Sequence, residues 1–377
     1  MPRFVPRPVG RRGIALALTL WVLVIAGSLL TVIVFLAFQD GRASGTDRRL
    51  HHASTRAEAG LVDVVSSWKP ALLSRLLPQA FDSMPINGTS VTGAQEDWLG
   101  TIHRLSPGLL LVAVTARNGP SGFEQVATEV RLGWLVRSHP VAVELSAALE
   151  AGGVVAIGDG AQMSGRDQSS DTSGACPPPG VDVAGIEAES VTVAAGARLD
   201  GAPPTARRAS GDTGLTESQR QAFEQLAATP TISLAGGSWF TGPVVTGAHC
   251  DAAPDLNWGD PLRLESPCSG FLPIVHVQGD ATLLGGSGQG ILLVDGDLVI
   301  RGPYRFFGLV MVAGTFAVAT ADSGVTIEGA VVAGRTGLAP YSTLSLVIAY
   351  STCRLARALQ TSGSLVPLAS RSWKQLF

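Results

Sequence analysis

The sequence has little charge and almost no lysine. Charged residues make up 15% of the 377 residues and apolar residues 46%, and lysine occurs only at Lys69 and Lys374. Chains without a stable fold combine low hydrophobicity with high net charge, so this composition excludes disorder along the whole chain. The formal net charge of −3 predicts no strongly basic face, which argues against nucleic acid as a partner.

Motifs that carry chemistry are also scarce. The six histidines show no His-Glu-x-x-His spacing, there is no Gly-x-Ser-x-Gly elbow, and the Gly-rich stretch 285–290 lacks the Lys-Ser/Thr of a phosphate loop. Asp295 and Asp297 offer the oxygen ligands that calcium prefers, but no Glu follows at EF-hand spacing. We therefore interpret them as turn acids and predict no metal, no cofactor and no catalytic residue.

The N-terminus does contain a long uncharged run. Residues 1–13 form a basic leader, with arginines at Arg3, Arg7, Arg11 and Arg12, and no charged residue occurs in 14–38. As a helix, these residues would span roughly 37 Å, enough for a bilayer core of about 30 Å. The arginines predict a cytoplasmic N-terminus with the rest of the chain outside. A cleavable secretory signal is the alternative, but its apolar core would be shorter, about 7–15 residues.

Helical spacing continues beyond the membrane. Apolar residues recur at steps of three and four between Thr46 and Trp68, so we predict that one long helix continues through 39–69 and ends near Pro70. Residues 70–150 are predicted to be mixed, with strands over 109–114 and 126–136 and a short helix over 141–150.

Residues 151–350 show a different sequence pattern, in which short Val/Ile runs alternate with Gly, Asp and Ser turns. We predict a mainly β, extracytoplasmic domain, interrupted by a helix that begins with a capping box at Thr216. Residues 351–377 are assigned to a C-terminal tail.

A repeat lies within residues 275–333. Four copies of an alternating apolar pattern, each with glycine at its fifth residue, start at Val275, Leu292, Val310 and Val325. Repeats of this length favour the rungs of a parallel β-solenoid, each stacked about 4.8 Å above the last. Val294, Val312 and Ile327 would then occupy equivalent inward positions. A Gly-rich antiparallel β-sandwich is the alternative.

The chain has only four cysteines, all on the predicted outer side: Cys176, Cys250, Cys268 and Cys353. They allow three connectivities, and oxidation is expected in that compartment. Proximity favours a bond between Cys250 and Cys268, which leaves Cys176 and Cys353 as the remaining pair by elimination. Free thiols are the alternative, and they would suit a reducing compartment.

Two stretches at the N-terminus resemble a known family. Residues 11–18, Arg-Arg-Gly-Ile-Ala-Leu-Ala-Leu, and residues 56–61, Arg-Ala-Glu-Ala-Gly-Leu, are similar to the start of type IV pilus minor pilins. The likeness is closest to the PilX-like assembly proteins and the GspK-like tip pseudopilins of type II secretion. Residues 289–298 and 350–353 resemble C-terminal segments of large PilX-like proteins.

The resemblance implies processing and a location. A prepilin peptidase would cut after Gly13 and leave Ile14 as the methylated mature N-terminus. Most pilins carry Glu at the fifth mature position, where this chain has Leu18, although the PilX-like and GspK-like groups often lack that Glu as well. The implied location is the bacterial inner membrane, single-pass with the C-terminal domain outside, or a pilus.

The resemblance also implies a function and partners. The chain would be a non-enzymatic protein in the assembly, priming or tip formation of a type IV pilus or related secretion filament. Its N-terminal helix would contact other pilins and pilus assembly proteins. The alternative is a membrane-tethered β-solenoid that binds or cleaves surface polysaccharide.

Overall fold

The fold is known from a computed structural model. It describes residues 12–88, 98–118, 128–168, 180–209, 214–319, 324–337, 345–368 and 374–375. The helices in these residues are α1 (Arg12–Ser67), α2 (Pro70–Leu76), α3 (Glu217–Ala227) and α4 (Thr352–Leu359), with a short 3-10 helix at Pro267–Gly270.

The strands form two large sheets and two small ones. In chain order they are β1 (Ser83–Gly88), β2 (Trp98–Ser106), β3 (Leu109–Asn118), β4 (Thr128–His139), β5 (Ala147–Ala151), β6 (Val154–Ile157), β7 (Gln162–Ser164), β8 (Ala184–Ala188), β9 (Ser190–Val193), β10 (Arg198–Asp200), β11 (Thr205–Arg207), β12 (Ile232–Thr241), β13 (Val245–Thr246), β14 (His249–Cys250), β15 (Ile274–Val294), β16 (Leu298–Ile300), β17 (Tyr304–Val318), β18 (Val325–Thr336), β19 (Leu346–Tyr350), β20 (Ser364–Pro367) and β21 (Lys374–Gln375).

Helix α1 continues unbroken from the apolar run into the domain, which confirms the prediction of one long helix. It ends shortly before Pro70, which stands at the first turn of α2, where its missing N–H leaves no helical hydrogen bond unmade. The second half of α1 packs on an antiparallel sheet with strand order β1-β2-β3-β4-β20, and β21 also pairs with β4. The predicted strand at 109–114 is confirmed as part of β3.

The antiparallel sheet is completed from the far end of the chain. Residues 351–377, assigned from sequence to a tail, contain α4 and the strands β20 and β21. Both of these strands pair with β4. Everything from β5 to α4 is therefore inserted between two neighbouring strands of one sheet. The two parts have separate cores, one beneath α1 and a larger one within the insertion.

The insertion is built around an 11-stranded sheet whose main order is β10-β7-β19-β18-β17-β16-β15-β12. Strands β5, β8 and β11 extend it from β18. All its pairs are parallel, unlike those of the sandwich alternative. The shorter strands β6 and β9 are also parallel to each other. The main-chain direction is thus preserved from one layer to the next.

Two of the three predicted repeat offsets are confirmed by the register. Leu283 pairs with Ile300 and Val294 with Val312, at offsets of 17 and 18 residues. The third offset is wrong, because Val312 pairs with Ala333, whereas Ile327 pairs with Phe306. The repeat has two glycine columns instead of one, and the sequence analysis assigned Gly329 to the wrong column.

Contacts between successive layers define the two glycine columns. Gly296 donates to Gly279 and Gly314 to Gly296, each at 3.1 Å, which forms the first column. The second contains Gly290, Gly308 and Gly329, which are paired side by side. All three have positive φ, and a Cβ on Gly308 would lie 2.0 Å from the carbonyl oxygen of Gly290. The chain therefore bends at glycine in successive layers.

One predicted helix is wrong and another is confirmed. Residues 141–150 form no helix, and the segment Ala147–Ala151 is strand β5 with all five residues buried. A strand buried on both faces loses the two-residue alternation that distinguishes it from a helix. The helix α3 does begin at Thr216 with a complete capping box involving Gln219.

Candidate functional site

Among the described residues, nothing packs on the apolar first half of α1. Its large apolar side chains from Leu18 to Phe38 are between 46% and 71% exposed. In the part of the chain that the structure describes, α1 alone is long and apolar enough to cross a membrane, with a mean hydropathy of 2.7 over its most apolar window. Water-exposed apolar patches of this size mark surfaces that bind lipid or protein.

Polar side chains within this half are satisfied by the helix itself. The hydroxyl of Ser28 donates to the carbonyl of Ile25 at 2.9 Å, and that of Thr31 donates to Gly27 at 2.8 Å. These bonds remove the need for water in an apolar surrounding. A Cβ on Gly27 would meet no heavy atom within 4 Å, so the position is open to a neighbouring helix.

The predicted processing site lies at the start of α1. Gly13 and Ile14 are in its first helical turn, their side chains are not described, and residues 1–11 fall outside the described part. Leu18 is 60% exposed on the helix surface. Cleavage after Gly13 stays a prediction.

A charged segment follows the apolar half. It contains Asp40, Arg42, Asp47, Arg48 and Arg49, all on α1. The guanidinium of Arg42 lies over the ring of Phe38, 4.6 Å from its centroid. This contact lies where the apolar run gives way to charged residues.

The second half of α1 is held by the antiparallel sheet. Four residues on one face, spaced by four, four and three, are completely buried: Ala53, Ala57, Leu61 and Val64. Gly60 allows the close approach, because a Cβ there would lie 2.8 Å from the ring of Trp98 and 2.9 Å from Val114. The sequence analysis missed this role, since glycine within a helix predicts only a loss of helix propensity.

Helix α2 follows α1 and makes direct contacts with the insertion. The guanidinium of Arg75 donates to the carbonyls of Thr231 and Ala253 at 3.1 and 2.9 Å and pairs with the Asp255 carboxylate at 2.9 Å. The Thr231 hydroxyl donates to the carbonyl of Ala71 at 3.2 Å. The strand β12, which starts at the next residue, is thus fixed beside the end of α1.

A buried arginine makes a second link. Arg104 on β2 is 2% exposed and donates to the carbonyl of Leu77 and, at 3.2 Å, to that of Gly270 in the insertion. Burial lowers the pKa of Arg104 to about 10, and the nearby Asp82 carboxylate partly offsets this. The side chain therefore stays charged at neutral pH, with carbonyl dipoles as partners. No motif in the sequence marks it.

A buried polar network attaches α3 to strand β5 within the insertion. Gln219 donates to the Glu150 carboxylate of β5 and accepts from Arg208 at 3.4 Å, and all three side chains are almost fully buried. Burial raises the pKa of Glu150, while N–H groups of Ser146 and Ala147 act in the opposite direction. Glu150 lies in the segment predicted to be helical, so sequence reasoning missed the network.

The predicted turn acids have separate partners. Asp295 contacts His276 Nε2 at 2.8 Å, and Asp297 accepts the N–H of Thr315, one layer further on, at 2.7 Å. Asp280 accepts the N–H of Asp297 in the same way at 2.8 Å. Asp280 and Asp297 therefore cap the turn of the following layer. Among the described residues, no three His, Cys, Asp or Glu side chains come together as metal ligands would.

Disulfide-bonded cysteines lie in the insertion. A disulfide joins Cys250 to Cys268, and both residues are buried. It closes the loop that follows β12. Cys353 is also disulfide-bonded, but Cys176 lies outside the described residues, so the predicted second pair is not described.

Comparison with known proteins gives little more. No protein-family model matches the chain, and no curated protein matches it. Among solved structures, the chain is similar to the competence-associated pilin ComZ from Thermus thermophilus, with 11% identity and a TM-score of 0.26. The match covers 87% of this chain and 96% of ComZ. At this TM-score the likeness carries no weight for the role of this chain.

Proposed function

We propose that this chain is a membrane-anchored, pilin-like subunit with a structural, non-enzymatic role in the assembly, priming or tip formation of a type IV pilus or related secretion filament. The observation that carries the proposal is the division of α1. Its first half exposes an uncharged apolar surface, and one face of its second half is buried against an antiparallel sheet. Such a helix resides in the bilayer and can pass into a bundle of like helices without exchanging its domain contacts.

The inserted region is proposed to be a β-solenoid that the anchor holds outside the inner membrane. Parallel pairing, offsets of 17 to 21 residues and glycines stacked at two bends support this reading. A repeat that stacks on itself is held together mainly by contacts between successive layers.

Processing by a prepilin peptidase is part of the proposal. Cleavage after Gly13 would remove the arginines of the leader and leave Ile14 as the N-terminus. N-terminal sequencing of the membrane-extracted protein should start at Ile14. An intact Met1, or a start beyond Phe38, would contradict processing, and the second result would also contradict a retained anchor.

The filament role is tested by photo-crosslinking in the source bacterium. A photoreactive residue placed at Leu23 or Leu30, both well exposed on the apolar half, should crosslink to other pilin-like subunits identified by mass spectrometry. The matched control places the same group at Val62, which is 54% exposed on the other half of α1. Crosslinks from Leu23 and Leu30 to lipid alone would contradict the filament role and support only a membrane anchor.

A further inference from the structure

The turn between α2 and β1 presents an aromatic ring to solvent on a strained backbone. Among the described residues, Phe81 is the only one other than glycine with a positive φ, +70°, and it is 82% exposed. Its N–H donates to the carbonyl of Arg104 at 2.6 Å. The Gln79 N–H donates to the Asp82 carboxylate at 2.8 Å and closes the turn. Strained conformations persist where surrounding contacts impose them, and they cluster at functional positions.

An open apolar groove lies beside this turn. Its volume is about 630 Å³, and its apolar lining residues are Val245, Leu262, Leu264 and Pro267. Leu262 is 49% exposed and Leu264 is 65% exposed. The groove is therefore both large enough and apolar enough to admit an aromatic side chain.

Two contacts place the turn next to the segments that form the groove. The Gln79 side chain donates to the carbonyl of Ala248 at 3.5 Å, in the hairpin of β13 and β14. A Cβ on Gly270 would lie 3.7 Å from the carbonyl oxygen of Pro78, and Gly270 ends the 3-10 helix on the other side. The ring of Phe81 and the groove therefore adjoin one another at a fixed spacing.

Exposed apolar side chains are concentrated around this pair of features. Of the sixteen large apolar residues that are exposed in the described chain after Phe38, seven lie in residues 70–82 and 242–270. The two segments are joined by the ion pair of Arg75 with Asp255 at 2.9 Å, and Arg263 pairs with Asp260 at 3.0 Å. Because both arginines are neutralised within the chain, the surface suits an apolar protein partner better than an acidic ligand.

We propose that two copies of this chain pair through this surface, with Phe81 of each copy seated in the groove of the other. A two-fold rotation brings each ring onto the partner's groove, so one contact covers both features in both copies. A different partner would have to supply both a groove for Phe81 and an aromatic side chain for the groove, whereas this chain carries both at a fixed spacing. An aromatic side chain in an apolar pocket is a common anchor of protein contacts. The pairing does not depend on the filament role.

Photo-crosslinking between isotopically distinct copies tests the pairing. The full chain with a photoreactive phenylalanine analogue at position 81 is made in light and heavy isotopic forms, mixed in detergent and irradiated. Mass spectrometry should identify light–heavy crosslinks from position 81 to residues 262–267. The matched control carries the analogue at Phe240, which is 66% exposed on β12, and should give no such crosslinks.

Sedimentation velocity over a dilution series in detergent measures the dissociation constant of the pair. Phe81→Gly removes the ring and keeps the turn, because glycine adopts a positive φ freely, and it should weaken pairing by about tenfold or more. Leu264→Glu, in the groove, should weaken pairing by a similar factor. Phe240→Ser is the control and should leave the dissociation constant unchanged.

Three results would overturn the proposal. The first is the absence of light–heavy crosslinks from position 81 to the groove. The second is an unchanged dissociation constant in Phe81→Gly while circular dichroism shows a folded chain, which would assign any association to the apolar half of α1. The third is equal weakening in Phe240→Ser, which would reveal non-specific apolar association instead of a fitted contact.

Discussion

The two large sheets of this protein bury their apolar side chains in different ways. The antiparallel sheet covers one face with a single helix, so its core depends on side chains that meet across the helix–sheet contact. The parallel sheet repeats its own backbone from layer to layer, so its integrity depends on register and on glycine at the bends. The first sheet should tolerate backbone changes better, and the second should tolerate surface changes better.

The largest effect is expected from a side chain in a glycine column. Gly308→Val would place a Cβ 2.0 Å from the backbone of Gly290 at a φ of +137°. We expect the insertion to lose more than about 4 kcal/mol of stability or to fail to fold. The control is Gly324→Val, where a Cβ meets no atom within 4 Å. A thermal melt of the full chain in detergent compares them, and equal melting temperatures would refute the column.

Truncation of a core residue should be costly in either sheet. Ile327 in the parallel sheet and Ile102 in the antiparallel sheet are both completely buried. Changing either to Ala should cost about 2–5 kcal/mol through lost burial and a cavity. Denaturant titrations followed by circular dichroism measure both. A loss below about 1 kcal/mol at Ile327 would show that side-chain packing contributes little to the stacked layers.

A change of sign should separate the sheet-packed part of α1 from the charged segment before it. Gly60→Ala adds a methyl group 2.8 Å from the Trp98 ring and should cost about 1–3 kcal/mol. Gly45→Ala meets no atom within 4 Å and should gain up to about 1 kcal/mol from helix propensity. The same melts report both variants. A stabilised Gly60→Ala protein would mean that helix and sheet are further apart than described.

The smallest effect concerns the turn acids. Asp297 accepts one backbone N–H, so Asp297→Ala should cost about 1 kcal/mol, whereas Asp297→Asn keeps an oxygen acceptor and should change stability by less than about 0.5 kcal/mol. Melts with and without Ca²⁺ check both variants. If Ca²⁺ raises the melting temperature of the wild type and Asp297→Asn removes that rise, the acid is a metal ligand and the turn interpretation is wrong.

Much of the local structure was readable from the chain. The uncharged run predicted the exposed helix, the three-and-four spacing predicted its continuation, and Thr216 with Gln219 predicted the start of α3. These signals are local, because each depends on residues within a few turns of one another. The errors arose where burial removed the pattern, as in β5, or where two similar glycine columns competed for one alignment.

By itself, the sequence determined the long apolar helix, its continuation and the alternating strands, because hydrophobic periodicity and capping act over short distances. Tertiary structure alone decided that the C-terminal strands return to β4 and enclose the insertion, and that Val312 aligns with Ala333. It also decided that Gly60 meets Trp98 and that β12 pairs with β15 at the end of the parallel sheet. These features depend on contacts between residues far apart in the chain, and no local pattern encodes which distant segment will supply the other side.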